Sequence, residues 1–423
     1  MSPVQSPKSD IKEAGQSIGA EIMTRIDALG ELSETPDGLT RRSFTAQHRQ
    51  ANDLVASWMR DAGMQVREDA IGNVIGRYEG TKACSPAVMI GSHLDTVVMA
   101  GKYDGMLGVL TGIACVEALN ESGTRLPFAV EVVGFVDEEG VRFQSTYLGS
   151  RAVTGKLDKA HLGREDKDGV SLSAALEAFG ADPERIDSAA RTKDELLAYL
   201  EVHIEQGPVL ESEELPVGAV TAIAGATRAL VAIEGEAGHA GTVPMALRRD
   251  AVAAAAECIG AIERTCVEIN GVVGTVGEIS VSPGASNVIP GRCEFTIDLR
   301  APEDAERRAA FDEVKTKMSK IAQLRGLDVD IDIRHEAGST PCNTSVAECI
   351  AQSIKNCGYP VMKLPSGAGH DAAAMAELVP VGMIFVRCKD GVSHSPEEHV
   401  TEQDAAAAAN VMLRVLNSFP ENL

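Results

Sequence analysis

Residues 87–108, AVMIGSHLDTVVMAGKYDGMLG, constrain the fold more than any other stretch. The run from Ala87 to Ile90 is uniformly apolar, as in a strand buried on both faces. It gives way to His93, Asp95, a glycine-bounded loop and Asp104-Gly105, then to an Ala/Leu/Val-rich helix. Polar groups gathered at the carboxyl end of a buried strand are where an open α/β sheet places its chemistry. Two later stretches repeat the design. The strand Phe128 to Val136 ends in Asp137-Glu138-Glu139-Gly140, and an apolar approach ends in VHIEQG, with His203. His394, in GVSHSPEE, follows the buried run VGMIFVRC.

The region from about 222 to 336 has a different texture. Its order is strand (228–236), a Gly-His-Ala-Gly turn, a long Ala-rich helix with Pro244 near its start, strands over 272–282 and 292–299, a charged helix (303–324) and the strand LDVDIDIRHE. That β-α-β-β-α-β order is the ferredoxin-like split pattern. The reading is therefore α/β: a mixed-sheet α/β/α catalytic domain over 1–221 and 337–423, with an α+β module inserted at 222–336. A chain of 423 residues accommodates two such cores. Residues 1–16 read as a mobile tail, and 64–78 as a hairpin or two short strands.

Composition excludes several roles. With 62 acidic and 39 basic residues the formal charge is −23, the wrong sign for a nucleic-acid partner or an anionic membrane surface. No signal pattern opens the chain, and no apolar run approaches ~18 residues. Nine scattered cysteines without a CxxC pair read as reduced thiols in a cytoplasmic protein.

His93, Asp104, Glu139, His203 and His394 supply three imidazoles and two carboxylates, a donor set suited to zinc, manganese or another first-row divalent ion. Five ligands exceed the usual three protein ligands of one catalytic zinc. Two ions sharing a carboxylate fit better, and Asp104, made mobile by Gly105, is the expected bridge. Asp95 is placed to orient His93. Adjacent residues on an extended segment point apart, so beside the ligand Glu139 a neighbouring carboxylate can serve as general base.

Together GSHLDTV, GKYDGMLGV, DEEGVRF, HIEQGPVLE, GEAGHAGTVPM, SNVIPGRCEFTIDLR, SGAGHDA and GVSHSPEE resemble the hydantoinase/carbamoylase amidases of the zinc-dependent metallopeptidase and aminoacylase superfamily. That family includes N-carbamoyl-L-amino-acid hydrolases, allantoate amidohydrolases and β-ureidopropionases. The resemblance spans about 70–400 and implies several roles. Glu138 would be the general base. His239 would stabilise the oxyanion in the other subunit of a homodimer built through the inserted lid module. Asn287 and Arg300 would bind substrate, with Gln206, Arg228, Gly369 and His370 as further contacts. The cofactor would be two divalent ions, zinc or manganese, with cobalt and nickel admissible. The implied reaction is hydrolysis of the carbamoyl or ureido C–N bond of a small ureido acid, with a lean towards allantoate over an N-carbamoyl-L-amino acid. A peptidase or aminoacylase acting on N-acyl amino acids, and a metal-bearing binding protein without catalysis, are the alternatives.

Overall fold

A computed structural model of the chain describes residues 7–420. The first six residues of the expected tail lie outside the described residues. The rest of it is not a tail: helix Pro7–Gly30 begins there, with proline in the first turn, where its missing N–H costs nothing.

The backbone divides into two compact units. The first runs to Thr221 and resumes over Cys342–Leu364 and from Gly369 onwards. Its sheet carries four parallel strands in the order Ala129–Phe135, Ala87–His93, Leu196–Ile204 and Val381–Val386. Antiparallel strands flank them: the hairpin Gln65–Glu68 and Val74–Tyr78 on one side, Val217–Ile223 on the other. Every residue of Ala87–His93, Ala129–Phe135 and Val381–Val386 is buried, as parallel strands covered on both faces require. Ile90, Val132, Leu200 and Ile384 join Ile22, Leu110, Ile350 and Val411 in one apolar cluster. The chain leaves strand Ala87–His93 for a neighbour on one side and later returns on its other side. That reversal opens a crevice at the carboxyl edge.

The second unit, Ala222–Pro341 with Pro365–Ala368, has an antiparallel sheet ordered Ile279–Ser282, Arg292–Ala301, Gly225–Glu234, Asp328–Ala337. Helices Ala251–Glu268 and Asp304–Arg325 contribute Cys258, Ile262, Phe311 and Met318 to a core with Val231, Phe295, Ile297 and Leu299. Alternation along Arg292–Ala301 leaves Thr296, Asp298 and Arg300 on the opposite face. Three details differ from the sequence reading. The unit runs on to Pro341 and takes in Pro365–Ala368, beyond the 222–336 expected. The Ala-rich helix starts at Ala251 and not near Pro244, because the Asp250 side chain caps it by accepting from the Ala253 amide at 3.0 Å. The strand expected over 272–282 breaks into Val273–Thr275 and Ile279–Ser282. There the Glu278 amide donates to the Thr296 hydroxyl instead of a ladder carbonyl.

No helix among the described residues is long and apolar enough to cross a membrane. All nine cysteines are free.

Candidate metal centre and catalytic site

The carboxyl edge of the parallel strands gathers the expected ligands. His93 is the last residue of its strand, Glu138 and Glu139 follow the next one, and His203 is the penultimate residue of Leu196–Ile204. Gly105 makes room for the imidazole. Its φ of +75° suits glycine, and a Cβ there would lie 2.5 Å from the His93 ring.

Asp104 sits at the centre. Its Oδ1 lies 3.4 Å from His93 Nε2 and 3.0 Å from His203 Nε2. Its Oδ2 lies 3.2 Å from His394 Nε2, which is 3.6 Å from Glu139 Oε1. Four donor groups lie here among the described residues, and two of them, His93–Asp104–His203 and Asp104–Glu139–His394, share Asp104; the others are His93–Glu138–Glu139 and Glu201–His203–His370. The imidazole nitrogens turned away from Asp104 are already used. His93 Nδ1 lies 2.8 Å from the Asp95 carbonyl, and His203 Nδ1 lies 2.9 Å from the Ile204 carbonyl. A carbonyl only accepts, so each Nδ1 carries a proton and donates it. The Nε2 atoms are left facing a carboxylate.

Lone pairs facing a carboxylate repel unless a proton or a cation intervenes. Protons can fill that role. Burial pulls His93 and His203 down, but hydrogen bonding to Asp104 and its charge outweigh burial and push both imidazoles up. Burial pushes Glu138 well above the usual carboxylate range and Glu139 to about 7, the neighbouring carboxylates adding to it. Divalent cations would replace those protons, so the residues present fit a metal cluster.

Asp95 corrects the sequence reading in one respect. Its main-chain carbonyl orients His93, not its carboxylate. The carboxylate spans to the next loop and accepts from the Glu138 amide (3.2 Å) and the Glu139 amide (3.3 Å). It thus fixes the backbone of both acids. Gln206, expected to touch substrate, donates from Nε2 to Asp104 Oδ2 at 2.8 Å. His370 is buried with its ring 4.4 Å from that of His203, and Gly369 backs onto the Tyr147 hydroxyl. Burial, with the His203 charge behind it, pulls His370 well below the usual imidazole range, so it stays neutral.

Sequence reasoning missed three supports. Glu201 is fully buried and accepts from Ser92 Oγ (2.8 Å) and the Ala372 amide (3.0 Å). An acid two positions before His203, inside an apolar strand and therefore on the same face, was the available signal. Ser393 and Glu398 also reach Asp104, and the surrounding SHSPEEH carries no mark of it.

The remaining predicted residues belong to the second unit. His239 and Asn287 meet there: His239 pairs with Val288, and the Ala240 amide donates to the Asn287 carbonyl at 2.9 Å. His239 is exposed and its Nδ1 accepts from the Gly241 amide at 3.0 Å. Its proton therefore sits on Nε2, which is a donor. Arg228 and Arg300 share Asp298, through Nε of Arg228 at 3.0 Å and both Nε and Nη2 of Arg300 at 2.8 Å. With Arg334 they line a hollow of about 740 Å³ on the open sheet face.

Fold and side-chain set together define an α/β protein whose buried imidazoles and carboxylates could hold divalent ions. A model of peptidase family M20/M25/M40 matches residues 89–418. The chain is 46% identical to the N-carbamoyl-L-amino acid amidohydrolase of Geobacillus stearothermophilus, over 93% of this chain and 97% of that one. It is 41% identical to the allantoate deiminase of Arabidopsis thaliana, over 98% and 84%. Among solved structures, a hydantoinase/carbamoylase family amidase from Burkholderia multivorans superposes with a TM-score of 0.88 at 32% identity, over 94% and 97%. The chain belongs to peptidase family M20/M25/M40 and, within it, to the hydantoinase/carbamoylase amidases.

Proposed function

We propose that the protein hydrolyses the carbamoyl or ureido C–N bond of a small ureido acid. The observation that carries this is the pair of donor groups sharing Asp104, beside a buried Glu138 whose amide is pinned by Asp95. Two divalent ions, zinc or manganese before cobalt or nickel, would be held by His93, Asp104, Glu139, His203 and His394. When bound, such ions polarise a water and the carbonyl under attack. Glu138 accepts the proton of the attacking water; its buried setting, which raises its basicity, suits a general base. The water oxygen joins the ureido carbon, the C–N bond breaks, and Glu138 returns the proton to the leaving nitrogen. The carbamate released falls to ammonia and carbon dioxide. His239 donates its Nε2 proton to the developing oxyanion of a second copy's site. Arg300, with Arg228 and Asn287, receives the substrate carboxylate, a planar anion that a guanidinium pairs with in two bonds.

The higher identity to an N-carbamoyl-L-amino acid amidohydrolase favours an N-carbamoyl-L-amino acid as substrate. Allantoate is the second reading, supported by the deiminase relative. A homodimer through the second unit is supported by its edge strand Ile279–Ser282, which exposes Ile279 and Val281, an unpaired edge of the kind proteins otherwise protect. Nine free thiols support a reducing compartment such as the cytoplasm. The test is a panel of N-carbamoyl-L-amino acids, allantoate, N-acetyl amino acids and dipeptides with metal-loaded protein. Ammonia release from the ureido acids is expected. Turnover confined to N-acetyl amino acids or dipeptides would replace this reading with an aminoacylase or peptidase, and no turnover at all would leave a metal-bearing binding protein.

A further inference from the structure

Glu398 lies in the loop after His394 and is buried, although its neighbours Glu397 and His399 are exposed. Its Oε1 accepts from the main-chain amides of Tyr103 (2.8 Å) and Asp104 (3.0 Å). Its Oε2 lies 3.2 Å from Ser393 Oγ, which in turn lies 3.0 Å from Asp104 Oδ2. Gln206 Nε2 closes the array, donating to Ser393 Oγ at 3.1 Å and to Asp104 Oδ2. The loop at Gly101 is shaped around this carboxylate: a Cβ there would fall 2.2 Å from Glu398 Cβ. Glu398 therefore grips Asp104 twice, by its backbone and, through Ser393, by the oxygen that faces His394.

We propose that Glu398 is a positioning residue that sets the shared carboxylate of the two donor groups. It joins the Asp104 loop to the Ser393–His394 loop across 294 residues of sequence. The inference rests on the reading of Asp104 as a shared ligand. Without Glu398, two buried amides lose their acceptor and Asp104 can rotate away from one group or the other. A glutamine at 398 keeps the arrangement: its carbonyl oxygen accepts both amides, and its amide donates to Ser393 Oγ, leaving the hydroxyl proton for Asp104.

The test titrates metal-stripped protein with Zn²⁺ against a chromophoric chelator, reading number of ions and affinity, with no substrate present. Loss of an outer partner of a ligand costs about 10–100-fold in metal affinity. Glu398→Ala should weaken both ions by that factor, Ser393→Ala should weaken one by about tenfold, and Glu398→Gln should stay within about threefold of the parent. Parent-like affinity in Glu398→Ala overturns the proposal, as does a Glu398→Gln variant as weak as Glu398→Ala. If Glu398→Ala does not fold, Ser393→Ala decides: unchanged affinity there overturns the proposal. A parent chain that takes up no Zn²⁺ overturns the shared-ligand reading itself. Parent uptake with unaffected variants overturns only the role of Glu398.

Discussion

Replacing Asp104 with asparagine keeps the shape of the side chain and removes its charge. The carboxylate accepts from Gln206 and Ser393 on one oxygen and faces His93 and His203 with the other. In Asp104→Asn one of those oxygens becomes an NH₂ group. Turned towards Gln206 it meets another donor. Turned towards His93 and His203 it suits neutral imidazoles but offers no lone pair to an ion. Either way one donor group loses an anionic ligand outright and the other keeps only a neutral carbonyl oxygen. A hydrogen bond to a charged group contributes about 1.5–3 kcal/mol against about 0.5–1.5 for a neutral one. Taking that difference of about 1–2 kcal/mol for the less affected ion gives roughly a 5- to 30-fold loss, and the other ion should weaken by roughly 100-fold. The assay is metal titration of stripped protein, counting ions per chain. His93→Ala is the contrast, since His93 does not belong to the Asp104–Glu139–His394 group, and it should weaken one ion only. The reasoning is refuted if Asp104→Asn weakens one ion and leaves the other at parental affinity.

Three other outcomes follow from the same geometry. Exhaustive chelation should abolish turnover and lower the melting temperature, with both recovering on adding Zn²⁺ or Mn²⁺; ligand at 100 times its Kd stabilises by about 2.7 kcal/mol. His239→Ala should lower kcat by about 10²–10³-fold, the usual cost of one oxyanion donor. If His239 serves the partner's site, mixing His239→Ala and Glu138→Gln chains should restore activity by assembling one intact site per mixed dimer, and activity that stays at the level of the separate variants would place His239 in its own subunit's site.

Much of the candidate site was legible because its candidate ligands end apolar strands. His93, Glu139 and His203 each close a run whose uniform burial is written in Ala, Val, Ile and Leu, and the order of those runs fixes which edge they share. The supports were harder. Asp95 carries the right residue type next to His93, but its carboxylate turns to amides 43 and 44 positions away, a contact that depends on strand neighbours and not on local spacing. Glu398 looks like one acid among several in a solvated turn and acquires its role only when the loop at Gly101 folds against it. In the second unit the periodicity gave strands and helices, while boundaries followed side-chain caps: Asp250, and not Pro244, starts the long helix. The helix begins at Pro7, inside the stretch read as a tail, because a short polar lead-in carries no apolar period of its own; the period starts further along, where Ile22, Ile26 and Leu29 are fully buried.

The central claim is that this edge of the sheet is a catalytic site with Glu138 as its base. The most direct measurement is ammonia release from a ureido acid by Glu138→Gln at the same bound-metal content as the parent. General-base catalysis contributes about 10²–10⁴-fold, so the account predicts a loss of that size with both ions retained. Turnover within about tenfold of the parent at equal metal content would contradict it.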